Sequence, residues 1–331
     1  MKTIKIRFLD FWDGFDGTAS YYLPYQLLKK HFNIEVTEDA DYVIYSVFGE
    51  RHWSVPRRCV KIFYTGENVA PDLNACDYAM GFEPMSCGDR YIRFPLWLEY
   101  LSDVDRMQEK HILPSDWSLA KDKPDFCSFV VTNPLNPVRN EFFEKLSAYK
   151  KVDSGGRYRN NTGGPVTDKL AFDRTHKFSI CFENGAHVGY TTEKLVQAFA
   201  ARTVPIYWGD PDVCRVFNEK AFVNVSDFAD LDAAIERVRE IDADDDLYLQ
   251  MLRTPALRED TPTPEAERAR LEAWLVSIFD RPLEEAYRRN LNFFGESYCR
   301  RRLLLDPWAN RKELLKYGKA RVRNKLIKKK I

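Results

Sequence analysis

The chain has 331 residues, and its seven cysteines (Cys59, Cys76, Cys87, Cys127, Cys181, Cys214, Cys299) include no C-x-x-C pair. An odd, scattered set fits neither a disulfide framework nor a thiolate zinc site, so a reducing compartment is expected. No apolar run approaches the roughly 20 residues that span a bilayer. The opening residues, Met1 to Asp10, alternate apolar with polar side chains and lack the apolar core of a secretory leader. Charge of one sign is lacking too: 50 Lys and Arg face 50 Asp and Glu, which excludes the basic surface of a nucleic-acid-binding protein. The balance is uneven, however. Residues 311–331 carry ten cations against the single acid Glu313, leaving an acidic body of net charge −9 over residues 1–310.

What is present is a chain 44% hydrophobic, ample for one large core or two. Short apolar stretches at Ile4 to Leu9, Asn33 to Val36, Tyr42 to Val47, Val60 to Tyr64, Tyr78 to Phe82 and Tyr91 to Leu96 read as strands, with a helix near Tyr22 to His31. This spacing predicts an α/β domain with an open, mostly parallel sheet. A polar stretch from Ser102 to Pro124 interrupts the pattern, and a second series starts at Phe126. It continues through a helix at Arg139 to Tyr149, strands at Phe178 to Phe182 and Val204 to Trp208, and a helix from Thr192 to Arg202. The expected division is an N-terminal domain over 1–118, a second α/β domain over 119–285, and C-terminal helices with a basic tail over 286–331.

The segment Phe178 to Pro211 places a polar, glycine-containing loop between a strand and a helix, where open α/β sheets bind ligands. Thr191 or Thr192 can cap the helix, and Glu193 and Lys194 fall in its first turn. A carboxylate suits a helix N-terminus; a lysine does not, and costs about 0.3–1 kcal/mol there. A bound anion such as a phosphate is one compensation and water around the ammonium is the other.

The runs Phe182-Glu183-Asn184, Gly189-Tyr190-Thr191-Thr192-Glu193-Lys194 and Val204-Pro205-Ile206-Tyr207-Trp208-Gly209 resemble the signature of the α-1,3-fucosyltransferases of glycosyltransferase family 10. So do Tyr64-Thr65-Gly66-Glu67-Asn68, Cys76 to Phe82, Asn133-Pro134 with Arg139, and Lys151 to Gly156, in order, over about Val60 to Phe228. The resemblance implies a GT-B architecture, two Rossmann-like α/β domains facing a cleft. It also implies inverting transfer of L-fucose from GDP-fucose to a GlcNAc-containing, N-acetyllactosamine-like glycan. It assigns Glu67 as the general base; by position, Glu83 and Glu99, near other strand ends, are the competing carboxylates. It further assigns Arg139 and Lys194 to the diphosphate, and Asn184, Tyr190 and Glu193 to the sugar nucleotide. The competing functional readings are a GT-B transferase for another GDP-sugar and a non-catalytic sugar-nucleotide-binding protein at a membrane surface.

No metal ligand set is expected and no cofactor is required: Asp242-Ala243-Asp244-Asp245-Asp246 reads as a solvated loop or helix cap and Asp210-Pro211-Asp212 as a turn. His176 and His187 read as surface loop residues. In the loop Phe11 to Gly17, Trp12 and Asp13 are the acceptor-binding candidates, an aromatic face for sugar C–H groups and a carboxylate for hydroxyls; core anchoring of Trp12 and Phe15 is the alternative. In the tail, Leu314, Leu315, Tyr317, Val322, Leu326 and Ile327 alternate with the ten cations, as in a basic amphipathic helix on an anionic membrane. The expected setting is therefore the cytoplasm, peripheral on the inner face of the membrane, acting on a possibly lipid-linked glycan; a solvated helix and a nucleic-acid arm are the competing readings of the tail.

Overall fold

The structure, a computed structural model, describes residues 1–56, 58–111 and 123–289, together with 294, 295 and 297. The basic tail, residues 311–331, and nearly all of the expected C-terminal helical region lie outside the described residues.

Six parallel strands, β1 (Thr3–Leu9), β2 (Asn33–Val36), β3 (Tyr42–Tyr45), β4 (Val60–Tyr64), β5 (Tyr78–Gly81) and β6 (Tyr91–Arg93), form the first sheet in the order β2-β1-β3-β4-β5-β6. All five residues of β4 are buried, as both faces of a covered parallel sheet require. The expected strand Tyr91 to Leu96 ends at Arg93, because Pro95 leads into a single 3₁₀ turn, Leu96–Glu99. The helices α1 (Leu23–Leu28) and α2 (Leu101–Gln108) belong to this half.

The second sheet is also parallel, with order β11-β10-β9-β7-β8: β7 (Asp125–Phe129), β8 (Val152–Ser154), β9 (His176–Phe182), β10 (Val204–Trp208) and β11 (Val223–Asn224). Its helices are α3 (Pro137–Tyr149), α4 (Lys169–Arg174), α5 (Glu193–Ala200), α6 (Leu231–Ala243) and α7 (Asp245–Arg253). Pro137 at the start of α3 and the Asn136 side chain, which accepts from Arg139 N at 3.1 Å, fix where that helix begins.

The chain then returns. Helix α8 (Pro264–Asp280), followed by the single turn α9 (Leu283–Ala286), falls within the stretch expected to belong to the second domain, yet Leu271, Leu275, Ile278 and Phe279 share a core with Ile6, Phe32, Tyr42 and Ile62 of the first sheet. Sequence order alone does not say which sheet a C-terminal apolar face covers. The same core includes Leu195, Val196 and Phe199 of α5, so apolar packing is continuous between the two sheets, while Phe129, Phe142, Phe178 and Tyr248 build a second core within the second domain.

His176 corrects its reading as a surface residue. It is 1% exposed at the start of β9, its Nδ1 is 2.8 Å from Phe172 O, and its ring lies 4.6 Å from that of Phe172.

Candidate active site

The C-terminal ends of the strands from both sheets converge on a cavity of about 380 Å³. From the first half come Trp12, Phe48, Tyr64, Gly66, Glu67, Leu96, Glu99 and Tyr100; from the second come Asn184, Tyr190, Thr192, Glu193 and Lys194. Sequence reasoning selected six of these wall residues as site candidates, Glu67, Asn184, Tyr190, Glu193, Lys194 and Trp12, and named a seventh, Glu99, as a carboxylate competing with Glu67; the fold brings all seven to one space.

Glu67 stands in the turn after β4. Thr65, buried, accepts from the Glu67 N–H at 3.0 Å and shapes the turn, which leaves the carboxylate exposed at the cavity. Across the cavity, Lys194 is held by three oxygens: Glu183 Oε2 at 2.9 Å, Thr192 Oγ1 at 2.9 Å and Glu193 Oε1 at 3.2 Å. Burial pulls the Lys194 ammonium down, but the two carboxylates outweigh it and its pKa is raised. Burial likewise pushes Glu193 up and is outweighed by Lys194, so Glu193 is held low. The unfavourable lysine at the helix start is thus compensated within the chain by Glu183, a residue to which the sequence reading gave no role. Glu183 is fully buried and accepts from Thr192 N at 2.8 Å as well as from Lys194. Its one sequence signal is a carboxylate directly after the largely apolar run Phe178 to Phe182, which demands a partner if buried.

Arg139 lies behind this wall, 1% exposed. Its guanidinium donates to Asn184 Oδ1 at 3.3 Å, to Phe182 O at 3.4 Å and to Asn133 O, while Nε has no partner among the described residues. Asn136 Nδ2 donates to Glu183 O at 2.8 Å, so the start of α3 holds the end of β9 in place. Tyr190 is 2% exposed and packs on Phe82 at 5.2 Å; burial pushes its phenol pKa up.

The loop before α5 is tied from both halves. Asp210, read from sequence as part of a turn, accepts from Gly189 N at 2.8 Å, Thr191 Oγ1 at 3.0 Å and Asp212 N at 2.9 Å. His187 Nε2 lies 2.7 Å from Glu83 Oε1 of the first half, which engages one of the competing carboxylates. Asp242 is buried between Lys150 and Lys177 and Asp244 caps α7 through Leu247 N at 3.0 Å, so the first of these two is a paired charge where a solvated loop was expected. Among the described residues no three His, Cys, Asp or Glu side chains form a metal-holding group.

In the loop after β1 Trp12 and Phe15 touch edge-on at 4.8 Å but differ in setting. Phe15 stacks on Phe11 at 3.8 Å, while Trp12, 41% exposed, faces the cavity. Asp13 is exposed, beside the turn at Gly14 (φ +79°), and is not part of the cavity wall. Phe48, which the sequence gave no reason to select, meets Trp12 edge-on at 6.2 Å. Asp10 makes this pairing: its carboxylate accepts from Arg51 N at 3.0 Å and His52 N at 2.9 Å, clamping the loop after β3 to the end of β1.

Two family models match the chain, the N-terminal domain of α-(1,3)-fucosyltransferase FucT over residues 6–100 and the C-terminal region of glycosyltransferase family 10 (fucosyltransferase) over residues 120–256. The α-(1,3)-fucosyltransferase FucT of Helicobacter pylori is 34% identical over 263 residues, 69% of this chain and 55% of that protein. A putative fucosyltransferase, R654, of Acanthamoeba polyphaga mimivirus is 31% identical over 206 residues, 59% of this chain and 33% of that protein. The chain therefore spans about half the length of the first of these relatives and a third of the second. A crystal structure of an α1,3-fucosyltransferase with GDP-fucose superposes with a TM-score of 0.72 at 28% identity, covering 88% of this chain and 94% of that one.

Proposed function

The chain belongs to glycosyltransferase family 10 and has its GT-B fold, and from that premise we propose that it transfers L-fucose from GDP-fucose, with inversion, to the 3-hydroxyl of an N-acetylglucosamine-containing glycan. The observation that carries this reading is the placement of Glu67 on one side of a single cavity and of Lys194, Glu193 and Asn184 on the other. In the proposed step the acceptor hydroxyl loses its proton to the Glu67 carboxylate as its oxygen bonds to the fucose anomeric carbon. The bond from that carbon to the diphosphate oxygen breaks with its electron pair, and GDP departs. Lys194, kept charged by Glu183 and Glu193, faces the charge that develops on GDP. Thr192 provides α5 with no side-chain cap, and the Glu193 carboxylate takes only its own N–H, so later N–H groups of the first turn can meet phosphate oxygens. Arg139 adds positive charge from behind Asn184. Glu193, held ionised, suits a hydroxyl of the sugar nucleotide.

No metal is needed in this scheme, and Asp210, whose carboxylate already takes three donors, is engaged in holding the loop. The test is GDP release from GDP-fucose with N-acetyllactosamine and EDTA present. The intact chain is expected to release GDP only with acceptor, and Glu67→Gln to lose roughly 10²- to 10⁴-fold in rate with GDP affinity retained. Undiminished activity in Glu67→Gln would remove the assignment of the base, and dependence on a divalent ion would remove the metal-free step.

A further inference from the structure

Glu99 closes the 3₁₀ turn after β6 and lines the cavity beside Tyr64, Leu96 and Tyr100. It makes a single contact among the described residues: its Oε2 accepts from the Tyr64 phenol. Oε1 has no partner there, and no cation answers the charge, because the one ammonium of the cavity wall is taken by Glu183 and Glu193. A carboxylate in such a position loses hydration without gaining a counter-charge. Evolutionary indifference is a poor account of it, since a leucine there would fill the same space at lower cost.

The surroundings indicate what the open oxygen is for. The cation and the uncapped helix terminus, which suit a diphosphate, all come from the second half. Glu99 comes from the first half, on the same side as Glu67 and the edge-on pair Trp12 and Phe48, whose exposed faces suit the C–H side of a sugar ring. We propose that Glu99 is an acceptor-binding carboxylate, accepting a hydrogen bond at Oε1 from a hydroxyl of the incoming sugar and thereby fixing that sugar against Glu67. This inference rests on the reading of the cavity as a fucosyl-transfer site and goes beyond it in naming the acceptor contact.

The role has a pH signature. The groups facing Glu99 are the phenols of Tyr64 from β4, Tyr22 from the entry to α1 and the adjacent Tyr100, with Glu67 on the loop after β4, and Glu193 and Lys194 on α5 with Glu183 behind them. Burial pushes the Glu99 pKa up to about 7, and the Tyr64 hydrogen bond opposes that rise. Only the ionised form offers both oxygens as acceptors, so acceptor binding weakens as pH falls through about 7. Removing the Tyr64 phenol takes away the stabilisation of the anion and moves that limb to higher pH.

The experiment is acceptor-dependent kinetics on N-acetyllactosamine from pH 5.5 to 8.5, for the intact chain, Glu99→Gln and Tyr64→Phe, with GDP-fucose affinity measured by calorimetry on each. Glu99→Gln is expected to lose roughly 10- to 100-fold in acceptor kcat/KM, mainly through KM, and to flatten the acid limb. Tyr64→Phe is expected to keep the limb but displace it upward in pH. An unchanged acceptor KM and acid limb in Glu99→Gln, in a chain that binds GDP-fucose and transfers fucose, overturns the inference about Glu99 alone. Failure of the intact chain to bind GDP-fucose overturns the reading of the cavity, and this inference with it.

Discussion

Glu183 and Lys194 form a coupled pair in which each justifies the burial of the other, and this coupling is measurable. Lys194→Met leaves a fully buried carboxylate facing Thr192 alone and is expected to cost about 3–5 kcal/mol in urea unfolding. Adding Glu183→Gln to that variant removes the stranded charge, so the double variant should be the more stable of the two, while both lack transferase activity. A double variant no more stable than Lys194→Met would show that the pair is not the seat of the stability. At this scale the sequence exposed the residues with chemistry, Glu67 and Lys194 among them, through their motifs. It named Glu99 only as a competitor of Glu67 near another strand end and gave no reason to select Phe48, because a carboxylate's lack of a counter-charge and a phenyl ring's exposure at a cavity are properties of neighbours distant in the chain.

Among the elements, the loop between β9 and α5 has an exacting geometry. Gly189 sits at φ +82°, and a Cβ there would lie 2.7 Å from Phe82 O of the first half. Gly189→Ala is expected to lose roughly 1–2 kcal/mol from the left-handed backbone alone. The clash adds to this by pushing the loop from Phe82, which displaces Tyr190 and the start of α5. The measurable outcome is a GDP-fucose KM raised at least severalfold with a smaller fall in thermal midpoint; an unchanged KM would show that the loop does not set the donor site. The strands at either side were legible from their apolar runs, and β9, β10 and β4 follow the expected bounds to within two residues. Two short strands were not. Val152–Ser154 and Val223–Asn224 carry too few residues for a period of two to register.

At the scale of the whole molecule, the described halves are joined by a core that runs from the first sheet through α5 and back to α8. Phe279 lies 4.5 Å from Tyr42 and 6.2 Å from Phe32, so Phe279→Ala is expected to cost about 3–5 kcal/mol. Because the core is shared, calorimetry should show one transition moved to lower temperature as a unit. Two separate transitions, with only the first displaced, would indicate independent domains. The amino-acid order by itself determined that there are two parallel α/β halves, since buried strands and amphipathic helices are written as local periodicities that need only neighbours to act. It also determined the family and the residues of the loop before α5, whose types and spacing are local. The tertiary structure alone decided that α8 crosses back to the first sheet, that Asp10 clamps Phe48 against Trp12, and that Glu99 faces a cavity whose one ammonium is paired elsewhere. Each of these depends on which apolar face or charge reaches another across tens or hundreds of residues, and packing, not pattern, makes that choice.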